Sequence, residues 1–157
     1  MRIGWGLDAH RFSPVGGVVL GGIRVEDAFG VEATSDGDVV AHAVIDAILG
    51  AAALGDLGER YPSDDPRWRD ADSMSLLGDT VTDVGGRGFR VSAVDVTVVA
   101  EQIRVAPHRE RIRQGLAEVL GIDVSRVSVK ATTTDGMGFT GRAEGLAAMA
   151  VAVLEEV

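Results

Sequence analysis

Apolar and small or polar residues alternate strictly along the start of the chain. The apolar positions are Ile3, Trp5, Leu7 and Ala9, and the positions between them are Gly4, Gly6, Asp8 and His10. A period of two residues is typical of a β-strand that buries one face. The pattern therefore predicts a half-buried strand that ends in an Asp-x-His sequence.

A helical period follows between Ser35 and Leu54. Its apolar stripe consists of Val39, Val40, Ala43, Val44, Ala47, Ile48 and Ala51. The same period places Asp38, His42 and Asp46 one turn apart on another face. Ser35 is the predicted N-cap, with Asp38 three residues on as in a capping box. We expect a core-packing helix that carries a line of polar groups.

The rest of the chain alternates between further strands and helices. We predict a second strand or bulged hairpin arm at 18–25, a long polar loop at 55–66, a helix at 72–84, a strand at 90–100, a helix from Pro107 with Gly121 as its C-cap, a strand at 127–131 and an Ala-rich terminal helix to about Glu155. This order predicts an α/β (α+β) sandwich in which helices pack on one face of a mixed sheet. We expect residues 1–157 to form a single domain.

Composition narrows the classes of partner and of metal ligand. The formal net charge of −9 disfavours nucleic acid and anionic membranes, which bind clustered Lys and Arg. The chain has no cysteine, so a metal would have to use His, Asp, Glu or water. No apolar leader or membrane-length apolar run occurs, which predicts a cytoplasmic protein with neither a nucleic-acid nor a membrane partner.

One metal site can be predicted from these periodicities. Asp8 and His10 share a strand face and His42 projects from a helix, so the three could converge on Zn²⁺. Three protein ligands would leave a position for water or substrate, as in a catalytic site. The alternative is structural: a hydrogen-bonded strand end and a solvated helix face.

A second candidate site is the Thr-rich loop that follows the last predicted strand. Its residues are Thr132, Thr133, Thr134, Asp135, Gly136, Met137 and Gly138. Backbone N–H groups and hydroxyls in such a loop can bind phosphate, and Asp135 could hold Mg²⁺ or Mn²⁺. Arg104 is the nearest evident cation for a diphosphate. The alternative is ordinary strand composition followed by a turn.

Several motifs together closely resemble the 2-C-methyl-D-erythritol 2,4-cyclodiphosphate synthase family. They are Gly6-Leu7-Asp8-Ala9-His10, Ser35-Asp36-Gly37-Asp38 with His42 and Asp46, Gly50 to Gly58, Pro62 with Asp65, Val129 to Thr134, and Gly138-Phe139-Thr140-Gly141-Arg142 with Glu144-Gly145. The resemblance implies a lyase of the non-mevalonate isoprenoid pathway. Its substrate would be 4-diphosphocytidyl-2-C-methyl-D-erythritol 2-phosphate, whose 2-phosphate attacks the β-phosphorus, giving the cyclic diphosphate and CMP.

The resemblance also implies roles for individual residues. Asp8, His10 and His42 would hold Zn²⁺, Asp135 would hold Mg²⁺ or Mn²⁺, and Thr34 and Thr133 would act in catalysis. The implied substrate-binding residues are Asp8, Ala9, His10, Thr34, Ser35, Asp56, Leu57, Gly58, Tyr61, Pro62, Ser63, Asp64, Asp65, Ala100, Ile103, Arg104, Val105, Ala106, Thr132, Thr133, Thr134, Asp135, Phe139 and Arg142. From the helical face itself, we predict that Asp38 and Asp46 cap the helix and orient His42.

The resemblance implies an assembly as well. Relatives are homotrimers with active sites between subunits, so the apolar terminal helix and the strand faces would be buried against neighbours. Phe139, Arg142 and Glu144 would line the trimer axis, where a cavity suits an isoprenoid diphosphate.

Three positions depart from the pattern of most relatives. Thr34 replaces a His, and a hydroxyl can donate a hydrogen bond but carries no charge. Asp135 replaces a Glu that is one methylene longer, so the metal could be held either directly or through a bridging water. Arg104 replaces a Lys and keeps the positive charge.

Two other functions remain open at this point. The same three ligands could activate water, which would make the protein a zinc-dependent phosphoesterase. Alternatively, the chain could be a non-catalytic trimeric relative that binds a nucleotide or an isoprenoid diphosphate.

Overall fold

The computed structural model describes residues 1–157 and is built around one five-stranded sheet in the order β4-β1-β7-β5-β6. The strands are β1 (Arg2–Ser13), β4 (Gly30–Val31), β5 (Phe89–Val99), β6 (Val127–Thr132) and β7 (Gly145–Glu156). β5 pairs with β6 in parallel, and the other neighbours are antiparallel. The predicted mixed sheet is therefore confirmed.

A separate two-stranded hairpin lies beside this sheet. It consists of β2 (Val18–Leu20) and β3 (Ile23–Glu26), joined at Gly21 and Gly22. Both glycines have positive φ, a backbone region that L side chains rarely adopt. The hairpin confirms the predicted bend at 18–25.

Three long helices cover the sheet, and two single-turn helices interrupt the loops. The helices are α1 (Val39–Ala52), α2 (Leu57–Arg60), α3 (Ser73–Gly86), α4 (Arg109–Leu120) and α5 (Gly138–Gly141). Short 3₁₀ turns lie at Pro66–Trp68, Ala106–His108 and Val124–Arg126. Gly121 ends α4 in the left-handed conformation, as predicted. None of the helices combines the length and the apolar character that a membrane span requires.

The face of β1 that packs on α1 is its glycine face. A Cβ on Gly4 would lie 1.9 Å from the Ala47 carbonyl oxygen, and one on Gly6 would lie 2.1 Å from that of Ala43. The helix backbone therefore lies directly on the strand, a closeness that only glycine permits. Nearly all of α1 is buried as a result.

The opposite face of the sheet is open and apolar. The side chains of Ile3, Trp5 and Leu7 on β1 are 64%, 59% and 49% exposed. Val151, which pairs with Trp5 in the register, is 36% exposed. All three long helices pack on the other face, as the predicted sandwich requires.

The predicted terminal helix is wrong, because this segment is β7. Burial alternates along it, with Leu146, Ala148, Ala150, Ala152 and Leu154 facing the helices. Alanine favours a helix when packing is ignored, but small side chains between β1 and β5 let α1 approach the centre of the sheet. Tertiary packing outweighs intrinsic propensity here.

The predicted start of α1 is also wrong. Its N-cap is Asp38, whose carboxylate accepts from the backbone N–H groups of Val40 and Ala41. Ser35 lies three residues before that cap. Asp38 is the N-cap because its carboxylate also accepts hydrogen bonds from the N–H groups of Gly21 and Gly22. These hydrogen bonds connect the hairpin to α1.

Candidate metal centre and active site

Asp8, His10 and His42 meet where β1 passes beneath the first turn of α1. Asp8 and His10 occupy the same strand face as Gly4 and Gly6, so both point toward the helix. His42 projects from the first turn of α1 and is 5% exposed. The two periodicities in the sequence are therefore enough to bring these side chains together.

The ligand atoms of this cluster form a small triangle. The Oδ2 of Asp8 lies 2.8 Å from Nδ1 of His42 and 3.1 Å from Nε2 of His10, and the two ring nitrogens are 3.4 Å apart. Zinc ligands about 2.0–2.1 Å from a tetrahedral ion lie about 3.3 Å from one another. Two imidazoles and a carboxylate at this spacing fit such an ion and leave one position open.

The other nitrogen of His42 is held by two hydroxyls. Nε2 lies 2.8 Å from Oγ of Ser73 and 3.2 Å from Oγ of Ser35. Ser73 in turn donates to the carboxylate of Asp36 through its hydroxyl, and its backbone N–H donates to the same carboxylate at 3.1 Å. With Nε2 donating to Ser73, Nδ1 is left free to face the metal position.

Asp38 caps α1 as predicted, but the prediction that Asp38 and Asp46 orient His42 is wrong. The Asp38 carboxylate is occupied by backbone N–H groups of the hairpin and of α1. Asp46 accepts from the N–H of Leu57 at 2.7 Å and so fixes the start of α2. Helical spacing alone put these carboxylates on one face, but their nearest donors are backbone groups of adjoining segments.

Charges within the cluster shift two pKa values in opposite directions. Burial acts to raise the pKa of Asp8, but hydrogen bonds and charge from His10 and His42 outweigh it and lower this pKa to about 2. Burial likewise acts to lower the pKa of His42, yet the contact with Asp8 raises it above the ordinary 6.5. The Asp8 carboxylate is therefore ionised at neutral pH.

A cavity of about 150 Å³ opens beside the three ligands. Its lining residues are Asp8, His10, Thr34, Ser35, His42, Leu57, Tyr61, Ser63, Trp68 and Leu76. The rings of Tyr61 and Trp68 pack edge to face with centroids 5.1 Å apart, and the Tyr61 hydroxyl donates to the Leu76 carbonyl. One wall is thus apolar and the opposite wall carries the ligand cluster.

An adjoining cavity of about 370 Å³ is strongly polar. It is lined by Ala33, Thr34, Ser63, Asp64, Asp65, Pro66, Arg69 and Asp70. Thr34 and Ser63 line both cavities, so the two adjoin at these residues. The polar loop that the sequence marks between Gly55 and Pro66 supplies part of each.

Two other predicted segments lie side by side but do not line either cavity. The N–H of Ala100 donates to the Thr132 carbonyl, and the N–H of Thr134 donates to Glu101. The side chains of Ile103 and Val105 are buried in the core, whereas Arg104 between them is exposed. The loop at 132–135 and the turn at 100–106 thus form one exposed surface apart from the metal cluster.

Within this surface, Thr133 and Asp135 are close to each other. The Thr133 hydroxyl lies 3.4 Å from the Asp135 carboxylate, and Asp135 has a left-handed backbone with φ of 51°. Both side chains are exposed. An exposed carboxylate beside hydroxyls can hold Mg²⁺ together with the phosphates of a ligand, which is how proteins usually bind this ion.

The residues predicted to line a trimer axis lie near the other edge of the metal cluster. Phe139, Glu144 and Gly145 surround a shallow cavity with Ala9, His10 and Arg11. Phe139 is 44% exposed, and Arg142 forms an ion pair with Glu144 at 2.9 Å.

Another cavity, of about 390 Å³, lies at the C-terminal ends of α3 and α4. Its polar groups pair with one another, as in the Arg90–Glu155 and Ser92–Glu155 contacts. It contains no set of metal ligands, so it is not the candidate site.

Sequence reasoning missed four residues around the metal cavity: Asp36, Trp68, Ser73 and Leu76. Ser73 is 31 residues from His42 and looks only like the first residue of a helix. Trp68 and Leu76 look like ordinary core positions. Only Asp36 carried a signal, because it lies within the Ser35-Asp36-Gly37-Asp38 motif.

The fold and the site define an α/β protein in which three candidate metal ligands lie beside an open, partly apolar cavity. A family model described as the YgbB family matches residues 1–155, and the chain therefore belongs to this family. A protein of Azotobacter vinelandii named 2-C-methyl-D-erythritol 2,4-cyclodiphosphate synthase is 53% identical over 154 residues, which cover 98% of each chain.

Solved structures agree with this assignment. A 2C-methyl-D-erythritol-2,4-cyclodiphosphate synthase in a CDP-bound form superposes with a TM-score of 0.89 at 30% identity, over 98% of this chain and 100% of that one. The bifunctional IspDF from Campylobacter jejuni gives a TM-score of 0.95 at 38% identity, over 99% of this chain. This chain covers 42% of that longer bifunctional protein.

Proposed function

We propose that this protein is a lyase that converts 4-diphosphocytidyl-2-C-methyl-D-erythritol 2-phosphate to 2-C-methyl-D-erythritol 2,4-cyclodiphosphate and CMP in the non-mevalonate isoprenoid pathway. An oxygen of the 2-phosphate forms a bond to the β-phosphorus, and the bond from the β-phosphorus to the CMP oxygen breaks. The observation that carries the proposal is the Asp8–His10–His42 triangle beside the cavity, in a chain 53% identical to a protein of that name.

Asp8, His10 and His42 would hold Zn²⁺, for which the donor set and spacing are suitable. When bound there, the ion supplies Lewis-acid polarisation of a phosphoryl oxygen. The attacking group is already an anionic oxygen, so the chain's own task is to place it and to offset repulsion between phosphates. Ser35, which contacts His42 and lines the cavity, is placed to donate to a phosphate oxygen.

The exposed surface of 100–106 and 132–135 would bind the cytidine diphosphate end. Thr133 would donate to a phosphate oxygen near the reacting centre, and Asp135 would hold Mg²⁺ or Mn²⁺ against the α- and β-phosphates. Support comes from the contact between Thr133 and Asp135, from the exposed Arg104 nearby, and from the CDP-bound relative. Asp56, Gly58 and Pro62, on the loop around α2, would contact the methylerythritol and ribose parts with the cavity residues.

The two sets of residues would meet between subunits of a homotrimer. Support comes from the open sheet face of Ile3, Trp5 and Leu7, whose exposure in one chain is costly in water. Phe139, Arg142 and Glu144 would then line the axis, where an isoprenoid diphosphate is the expected ligand. Sedimentation of wild type and of a Trp5→Asp variant would test the assembly, with dissociation of the variant as the expected result.

Two further predictions belong to this proposal. One buried cluster of 33 hydrophobic residues supports treating residues 1–157 as a single domain. A cytoplasmic location stays a prediction from the sequence.

Phosphorus NMR of the purified protein with the diphosphocytidyl substrate, Zn²⁺ and Mg²⁺ tests the activity. The expected products are the cyclic diphosphate and CMP. Inorganic phosphate or a linear product would instead indicate a zinc-dependent phosphoesterase. Binding without turnover would indicate the non-catalytic relative.

A further inference from the structure

Arg69 directly precedes a segment, Asp70 and Ala71, that is hydrogen-bonded to Thr34 and Asp36. The backbone N–H of Asp70 donates to the Thr34 carbonyl at 2.8 Å, and that of Asp36 donates to the Ala71 carbonyl at 3.1 Å. Asp70 has a left-handed backbone with φ of 57°, which turns the segment back toward Thr34. Arg69 is therefore held beside Thr34 at the wall that the two cavities share.

The guanidinium of Arg69 is free, unlike those of its neighbours. Arg60 pairs with Asp83 at 2.9 Å, and Arg67 pairs with Asp65. Arg69 has no carboxylate within 4.0 Å and makes no side-chain hydrogen bond, although Asp64 and Asp70 line the same cavity. It is thus the one arginine of the 60–69 segment that is available to a ligand.

The reaction proposed above requires a cation at this place. The substrate brings three phosphate groups to a chain with a net charge of −9, and a phosphate monoester alone carries about −1.5 to −2. Thr34 lines the cavity with a neutral hydroxyl. Apart from the metal ligands, neither the metal cavity nor its polar extension has any other basic side chain than Arg69.

We propose that Arg69 binds the phosphate monoester of the substrate, the group that attacks the β-phosphorus. This inference rests on the proposed function. The diphosphate has to lie against the ligand cluster, and the monoester must reach the β-phosphorus from an adjacent position. The cavity beyond Thr34 and Ser63 is such a position, and the planar guanidinium can donate two parallel hydrogen bonds to phosphate oxygens.

The carboxylates around Arg69 make the site selective. Asp64 and Asp70 repel a bare anion, but they accept hydrogen bonds from hydroxyl groups. The cavity therefore favours a phosphate carried on a polyol over inorganic phosphate, and this difference can be measured.

Calorimetric binding to the zinc-loaded protein tests the proposal. The ligands are the diphosphocytidyl substrate without added Mg²⁺, CDP, and inorganic phosphate, and phosphorus NMR of the recovered sample verifies that the substrate is intact. In Arg69→Gln we expect the substrate Kd to rise about tenfold or more and the CDP Kd to change less than twofold. Arg69→Lys should restore part of the affinity, and inorganic phosphate should bind weakly to every variant.

Arg87→Gln is the matched control, because Arg87 is an exposed arginine at the end of α3 that pairs with Asp83. It should bind substrate like the wild type. A substrate Kd in Arg69→Gln within twofold of the wild type, or an equal loss for CDP, would overturn the proposal. Wild-type protein that binds substrate through Arg69 but forms no cyclic product would refute the proposed function and leave the Arg69 assignment standing.

Discussion

The metal cluster and the exposed surface of 100–106 and 132–135 are built in contrasting ways. Asp8, His10 and His42 are locked by strand and helix packing, and Ser73 and Asp36 hold His42 from behind. On the exposed surface, Thr133 and Asp135 contact each other and water. The metal cluster is complete within one chain. The exposed surface has hydrogen-bond donors and a carboxylate, but one chain supplies no wall opposite them.

This contrast suits two different functions, metal binding by the buried cluster and ligand binding by the exposed loop. Rigid packing suits a site that must hold a metal to within fractions of an ångström. An exposed loop can accept a ligand that a second copy of the chain presents to it. If the active site lies between subunits, the two regions are halves of one site, and each half can be disabled separately.

The largest expected effect comes from disabling both halves in different chains. His42→Ala should remove the zinc and lower activity at least about a thousandfold, and Thr133→Ala should lower it about a hundredfold or more. Mixed and reassembled, the two inactive variants should recover about one quarter of wild-type activity, because random trimers form some interfaces with two intact halves. Turnover and zinc content of each sample are measured.

The control for this mixture is each variant reassembled with itself, which should stay inactive. If mixing restores nothing although mixed trimers form, each site is complete within one chain. The contrast between the two regions would then have no functional meaning.

The next largest effect should come from the residue behind His42. Ser73→Ala removes the acceptor that holds Nε2 and leaves Asp36 without its hydroxyl donor, so zinc affinity should fall about 10- to 100-fold. Competition with a chelator measures this loss. Ser75→Ala is the control, because its hydroxyl donates to Asp72 on the same helix and is not connected to His42. Equal affinity in both variants would contradict a role for Ser73 in orienting the ligand.

Ser73 also illustrates what can be predicted from a sequence. The convergence of Asp8, His10 and His42 follows from a period of two in β1 and of 3.6 in α1, because each period fixes a face. Ser73 joins them only through the path of a loop and a separate helix, which no local pattern encodes. Asp38 and Asp46 had the right spacing but bind backbone N–H groups, since those donors lie nearer.

The fold divides in the same way. Elements with a clear period and clear ends, such as α3, α4 and β5, agree closely with prediction. β7 differs from its prediction. Its alanines have no intrinsic preference for a strand, but their small side chains allow α1 to pack closely on the sheet. The open face of β1 also differs from its prediction. Its apolar side chains indicate a buried face, but no element of a single chain packs against it.

A third effect is the dependence of zinc affinity on pH. The metal requires a neutral imidazole, and the pKa of His42 is raised above 6.5 by Asp8. Deprotonation of His42 should therefore raise affinity by up to about tenfold per pH unit below that raised pKa and add nothing above it, as measured by chelator competition in the wild type and in His10→Ala. Asp8, with a pKa of about 2, stays ionised and adds no dependence in this range.

Asp8 and His42 also make the stability of the metal-free protein depend on pH, in the opposite direction to zinc affinity. A His with a raised folded pKa contributes stability that is fully present below its unfolded pKa and is lost as pH rises through the folded value. Asp8, with a lowered pKa, loses its contribution as pH falls below 3.8 toward 2. Thermal unfolding of the metal-free chain should thus show a stabilising contribution from Asp8 and His42 only between the lowered pKa of Asp8 and the raised pKa of His42. Stability that rises above neutral pH would contradict this ion pair.

The smallest expected effect concerns Thr34, at the boundary between the two cavities. Its hydroxyl can donate one hydrogen bond to a phosphate but adds no charge, so Thr34→His should raise kcat several-fold at a pH where the imidazole is protonated, with little change above it. Thr82→His, on the exposed face of α3, is the control and should leave kcat unchanged.

If Arg69 already supplies the charge beside the monoester, the gain in kcat from Thr34→His should be larger in the Arg69→Gln background than in the wild type. Equal gains in both backgrounds would show that the two side chains act on different groups, and no gain in either would show that charge at this wall does not limit turnover.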